Sequence, residues 1–201
     1  MTLPTQKPEP IALGPGASLL YVPDFISTEQ SQALIKKWTT EFDWVRSEIT
    51  LFGRKVHIPR LNTWYGEHAY SYSGTRFEAK PWTTELRQLK QKIEDYSGLQ
   101  FNCALINWYR DGQDSMGWHS DNEASLGKSP QIASVSLGEC RKFSLREISD
   151  KNNKRSIMLD DGSLLLMLGE TQTRWQHSLP KTRAPIAYRL NLTFRLINQQ
   201  N

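Results

Sequence analysis

His119, Ser120 and Asp121 set an imidazole and a carboxylate two residues apart, and a further histidine, His177, stands downstream in Trp175-Gln176-His177-Ser178. Two imidazoles and one carboxylate are the ligand set that holds non-haem iron(II) on one face, leaving the opposite face open for a co-substrate and oxygen. In a strand or tight turn, side chains i and i+2 point the same way. His119 and Asp121 can therefore reach one ion together, while the third ligand must arrive from a distant strand. Taken alone, an H-x-D triplet is as readily an exposed turn, because such triplets arise by chance, and His177 is then an ordinary loop residue. The weight of this triplet comes from its company.

The last apolar-polar alternation, Arg189-Leu190-Asn191-Leu192-Thr193-Phe194-Arg195, puts Arg189, Asn191, Thr193 and Arg195 on one face of a strand. Leu190, Leu192, Phe194 and Leu196 fall on the other, which belongs in a core. The polar set fits a solvated sheet face, the usual source of such alternation. It also fits a grip on a small dicarboxylate, because a guanidinium matches a carboxylate bidentately and keeps its charge. An earlier strand offers a matching face, with Asn107 and Tyr109 projecting together as neutral donors.

Positioning these groups requires a core, and a chain of 201 residues with 38% apolar content is long enough for one sizeable domain. The proline-rich start reads as a loose tail over residues 1–16, with the domain over 17–201. A first helix opens at Ser27, with Gln30 completing a capping box and Ala33, Leu34 and Trp38 forming an apolar stripe. A second follows Pro81, carries Leu86, Leu89, Ile93 and Tyr96 at helical spacing, and stops at Gly98 in a left-handed cap. Beyond Gly98 the period becomes two. Strands are predicted over Phe101–Tyr109, Ile132–Leu137, Lys142–Ile148, Ser156–Leu159, Ser163–Leu168 and Tyr188–Ile197. Many short strands with no helices between them predict an antiparallel sandwich or barrel in a mainly β, α+β fold.

Other classes recede on composition. The longest apolar run, Leu164 to Leu168, is far short of the roughly 20 residues a membrane-spanning helix needs. Cys103 and Cys140 are too few for a disulfide scaffold or a four-thiolate zinc site, and each reads as a small hydrophobe in a reducing compartment. The expectation is a soluble, cytoplasmic monomer, nucleoid-associated if bacterial. A net charge of +4 suits a polyanionic partner without identifying one.

Asn107-x-Tyr109, His119-x-Asp121, His177 and Arg189-x-Asn191-x-Thr193-Phe194-Arg195 occur in the order and context of the AlkB family. The run from Phe101 to Leu196 resembles that family's catalytic core, and Ile132 to Gly138, Gly162 to Leu165, Pro59-Arg60-Leu61 and Tyr65-Gly66 resemble it too. None of these positions departs from the pattern. The resemblance implies a double-stranded β-helix, or jelly roll, with N-terminal helices packed on it and a nucleotide-recognition lid at about residues 45–80. It implies iron(II) on His119, Asp121 and His177, with 2-oxoglutarate and O2 as co-substrates. Arg189, Asn107 and Tyr109 would hold the distal carboxylate of 2-oxoglutarate, and Arg195 and Asn191 its chelating end, with Thr193 on the same face. The activity implied is oxidative dealkylation of 1-methyladenine and 3-methylcytosine in DNA, with etheno adducts as further candidates, releasing formaldehyde, succinate and CO2. Action on RNA or on protein is the alternative.

By the same resemblance, Tyr70-Ser71-Tyr72-Ser73 is the base lid: Tyr72 would stack on an extruded base against His119, with Tyr70 and Ser73 bonding nearby. As plain sequence, two tyrosines at i and i+2 are one face of a strand. Glu123 matches a base-edge position, and its charge suits a base made cationic by methylation. Phe52, ahead of Arg54 and Lys55, resembles the finger that fills the gap left by a flipped base, or is a buried residue at a hairpin turn. Arg146, Lys151, Lys154 and Arg155 correspond to a hairpin that meets the undamaged strand, or form a solvated turn.

Overall fold

The computed structural model describes residues 8–51, 54–72 and 75–198. Strands β1 (Ile11–Gly14) and β2 (Ala17–Val22) lead into helix α1 (Thr28–Glu41), which Ser27 caps by accepting the Gln30 amide at 3.3 Å. There follow β3 (Glu48–Leu51), β4 (Arg54–His57), β5 (Leu61–Gly66), β6 (Tyr70–Tyr72) and β7 (Thr75–Phe77). Helix α2 (Thr84–Ser97) ends as predicted on Gly98, whose φ of 76° puts it in the left-handed region, with its N–H on Glu94 O at 2.8 Å. The second half comprises β8 (Cys103–Tyr109), β9 (Met116–His119), β10 (Ile132–Gly138), β11 (Arg141–Glu147), β12 (Lys154–Leu159), β13 (Leu164–Gly169), α3 (Thr171–Arg174), β14 (Trp175–Leu179) and β15 (Arg189–Arg195).

Two antiparallel sheets face each other, as the jelly-roll expectation requires. The larger has seven strands in the order β1-β2-β13-β10-β15-β8-β5, and the smaller four in the order β12-β11-β14-β9. One face of the large sheet packs on the helices: Leu190, Leu192 and Phe194 of β15 and Val135 of β10 join Leu34 and Trp38 of α1 and Leu86 and Ile93 of α2 in one cluster. The other face turns to the small sheet. There Ile132, Leu165 and Met167 meet Phe143, Leu145 and Trp175 in a second cluster that closes one end of the space between the sheets.

Several boundaries differ from expectation. The tail was expected to run to residue 16, yet Ile11–Gly14 pairs with β2 (Ile11 opposite Leu19) and buries Leu13 in the second cluster, so sheet begins within that span. Leu196 is not a core residue but 41% exposed. The strand ends at Arg195, and Ile197 takes the buried place, its amide and carbonyl both bonded to the Asn102 side chain at 2.8 Å. Within the span expected as lid, β5 is an edge strand of the large sheet, paired with β8, and the hairpins β3–β4 and β6–β7 flank it. Among the described residues no helix is long and apolar enough to cross a membrane.

Candidate active site

Between the sheets lies a cleft. Small-sheet residues line one side and the polar face of β15 the other. Cross-strand pairing puts His119 of β9 opposite His177 of β14, with ring centroids 4.2 Å apart. Asp121, two residues past His119, turns into the same space, and the ligand atoms of all three residues lie within 4.8 Å of one another. The two histidines had to come from different strands, and the antiparallel register supplies that meeting.

Each ligand is held in a metal-ready state. His119 Nδ1 bonds Gly117 O at 2.9 Å, which leaves Nε2 as the free ring nitrogen. Burial pushes the His177 imidazole down to about 3 and lowers His119 as well, so both rings are neutral donors at physiological pH. Burial acts to raise the Asp121 carboxyl, but Arg195, together with the neighbouring His177 and His119, outweighs it and holds the group at about 2. Arg195 Nη2 donates to Asp121 Oδ1 at 2.9 Å, with both side chains buried. Phe143 stacks on His177 at 5.2 Å and forms an apolar wall behind it.

The polar face of β15 looks into this cleft, against the solvated-face reading of its alternation. Arg189, Asn191, Thr193 and Arg195 all line it and are all buried, as are Asn107 and Tyr109 of the adjacent β8. Register explains the gathering, since Arg189 sits opposite Tyr109 and Asn191 opposite Asn107. Arg189 Nη2 donates to Ser136 Oγ at 2.8 Å and the guanidinium lies 5.5 Å over the Tyr109 ring, while Nε has no hydrogen-bond partner among the described residues. Burial lowers this arginine to about 10, so it remains a cation. Asn191 is already engaged, donating to Ser134 Oγ at 2.8 Å and accepting from Thr193 at 3.2 Å.

A buried arginine with an unpartnered N–H, on a wall of neutral donors, is suited to an anionic carboxylate. The neighbouring triad suits a divalent ion that takes nitrogen and oxygen ligands. The residues present therefore fit iron(II) and 2-oxoglutarate, each on its own chemistry.

The expected nucleic-acid residues are placed less completely. Tyr70 and Tyr72 lie on β6, paired with Phe77 and Thr75, while Phe52 and Ser73 fall outside the described residues. Glu123 precedes a short 3-10 turn just beyond Asp121, and its buried Oε2 has no hydrogen-bond partner among the described residues. Arg146, Lys151 and Lys154 are not in the cleft. Arg146 pairs across strands with Gln176 and Lys154 on the outer face of the small sheet, its guanidinium bonded to Gln176 Oε1 and 4.4 Å over Trp118. Lys151 lies in the β11–β12 turn, and it and Arg155 are exposed.

Two site residues had no signal of their own in the sequence. Arg60, quoted only within a matching segment, is buried in the cleft wall with Nε on Asn107 Oδ1 at 2.8 Å. Gln172 accepts the Asp121 amide at 2.9 Å from a position 51 residues away.

Residues 18–195 match the 2OG-Fe(II) oxygenase superfamily. The chain is 39% identical over 189 residues to human alpha-ketoglutarate-dependent dioxygenase alkB homolog 3, covering 87% of this chain and 64% of that protein. It is 37% identical over 166 residues to mouse DNA oxidative demethylase ALKBH2, covering 78% of this chain and 69% of that one. The chain thus spans a little under two thirds of the alkB homolog 3 proteins, at 64% of the human one. The solved structure of OsALKBH1 shares the fold at a TM-score of 0.64 and 17% identity, over 88% of this chain and 97% of its own. With its iron-type triad, its arginine-lined cleft and these relatives, the chain belongs to the 2OG-Fe(II) oxygenase superfamily and, within it, to the AlkB family.

Proposed function

We propose that the protein is an iron(II)- and 2-oxoglutarate-dependent dioxygenase that removes alkyl groups from nitrogen atoms of DNA bases, with 1-methyladenine and 3-methylcytosine as its main lesions and etheno adducts as further substrates. The observation that carries this reading is the triad His119, Asp121 and His177 sharing one cleft with Arg189, whose Nε has no hydrogen-bond partner among the described residues. The name DNA oxidative demethylase borne by the mouse relative supports the choice of substrate.

Iron(II) held by the triad, with 2-oxoglutarate and O2, would supply the oxidation of a carbon attached to nitrogen; from a methylated base the products would be formaldehyde, succinate and CO2 beside the repaired base. This chain's residues do the rest. Arg189, with Tyr109 and Asn107, would hold the distal carboxylate of 2-oxoglutarate, for which a guanidinium fork is suited. Arg195 and Asn191 would hold the end of 2-oxoglutarate nearer the metal, and Arg195 also holds Asp121 in its ionised form. Phe143, Leu159 and Met167 keep that end of the cleft apolar. A base inside a duplex hides its pairing edge, so it must leave the stack to reach the cleft. Tyr70, Tyr72 and Ser73 would cover the extruded base, Glu123 would face its cationic edge, and Phe52 would fill the gap. Arg146, Lys151 and Lys154 would meet backbone phosphates. On this reading the protein acts as a cytoplasmic monomer.

The test is to supply iron(II), 2-oxoglutarate and O2 with methylated single- and double-stranded DNA, methylated RNA and peptides, and to measure succinate and formaldehyde. Formation of both with methylated DNA is expected. Turnover with peptide alone would contradict the assignment, and turnover with RNA alone would move the substrate to RNA.

A further inference from the structure

Asp121 is held by two bonds of its own and by one at the residue before it. Arg195 donates to its carboxylate, the adjacent Ser120 Oγ donates to Trp175 O at 2.9 Å, and its own backbone N–H donates to Gln172 Oε1 at 2.9 Å. Gln172 is wholly buried, at 0% exposure, and stands in α3, directly ahead of the strand that carries His177. The other end of its amide, Nε2, reaches Met167 Sδ at 3.3 Å on the cleft wall. Enclosing a primary amide among apolar side chains is unfavourable unless both ends are bonded. A thioether is a weak acceptor, so the Met167 contact alone does not account for glutamine here. The bond to Asp121 does.

We propose that Gln172 is a positioning residue of the metal site: its Oε1 anchors the backbone of Asp121, so that the carboxylate meets His119 and His177 at one point. It also ties the aspartate segment to the strand of the third ligand, so that two stretches far apart in sequence move as one. Groups that orient a ligand from behind commonly set metal affinity as strongly as geometry in front of it does. The inference rests on the metal reading above.

Cobalt(II) is the probe, titrated into the metal-free full chain and followed both by calorimetry and by its visible d–d absorption. Gln172→Met keeps the volume and removes the acceptor oxygen, whereas Gln172→Glu keeps an oxygen at that place. We expect Gln172→Met to weaken cobalt(II) binding by about 10- to 100-fold and to alter the absorption band, with Gln172→Glu close to wild type in both. Wild-type affinity and spectrum in Gln172→Met would overturn the proposal. Equal losses in both variants would also overturn it, by reducing Gln172 to a packing residue. If Gln172→Met does not fold, Gln172→Leu carries the same comparison. Failure of the wild-type chain to bind cobalt(II) would instead remove the metal reading itself.

Discussion

Along β15, Leu190, Leu192 and Phe194 face the helices at 0% exposure, while Arg189, Asn191, Thr193 and Arg195, one residue out of step, face the cleft at 2–8%. Both faces are buried, so burial does not separate core from site. Their partners do. The apolar face meets Leu86, Ile93 and other side chains that fill space, and its value is the area removed from water. The polar face meets a few specific acceptors, Ser136, Ser134 and Asp121, and leaves Arg189 Nε with none among the described residues. Enclosing such groups costs stability, which the molecule accepts on the face that would receive a dicarboxylate. Changes on one face should therefore act on folding, and changes on the other on ligands.

The largest effect should come from the cleft side. His119→Ala, Asp121→Ala or His177→Ala is expected to abolish turnover while the far-ultraviolet circular dichroism stays native, since three protein ligands are the minimum for this site. Activity near wild type in any one of them would erase the metal assignment. On the helix side, Phe194→Ala should lower unfolding free energy by about 3–5 kcal/mol in a urea titration. A loss below about 1 kcal/mol would mean that this face packs less tightly than its enclosure suggests.

Arg189→Lys sharpens the contrast, because an ammonium cannot reproduce a bidentate fork. It should raise the 2-oxoglutarate KM strongly while leaving the urea midpoint almost unchanged. The reverse pattern, a stability loss with unchanged KM, would return Arg189 to the structural side. Further from the cleft, replacing Lys151, Lys154 and Arg155 together should weaken DNA binding and flatten its log-log salt dependence by up to about three units. An unchanged slope would make them a solvated turn.

Much of this contrast was legible in the sequence. Period-two alternation in Arg189–Arg195 separates the two faces, and the i, i+2 spacing of His119 and Asp121 announces a shared direction. What alternation could not say was whether the polar face meets water or a cleft. That depended on register with β8 and on the small sheet opposite, neither of which is written locally. The strands β9 and β14 were not predicted as strands, because each is short and carries polar side chains among its apolar ones. Arg60 and Gln172 escaped for a similar reason: their partners lie 47 and 51 residues away, and nothing in their neighbourhoods marks them. The first strand was hidden by the prolines before it, although Leu13 has a place in the core.

The central claim is that the cleft joins a metal triad to a co-substrate grip and uses both on an alkylated base. Its most direct test is the mass of a DNA oligonucleotide carrying one 1-methyladenine, incubated with the protein, iron(II) and O2, with and without 2-oxoglutarate. The account predicts loss of the methyl group only when 2-oxoglutarate is present, with succinate formed in equal amount to repaired base, and no change with His177→Ala. An unaltered oligonucleotide under complete conditions, or demethylation that proceeds equally without 2-oxoglutarate, would contradict it.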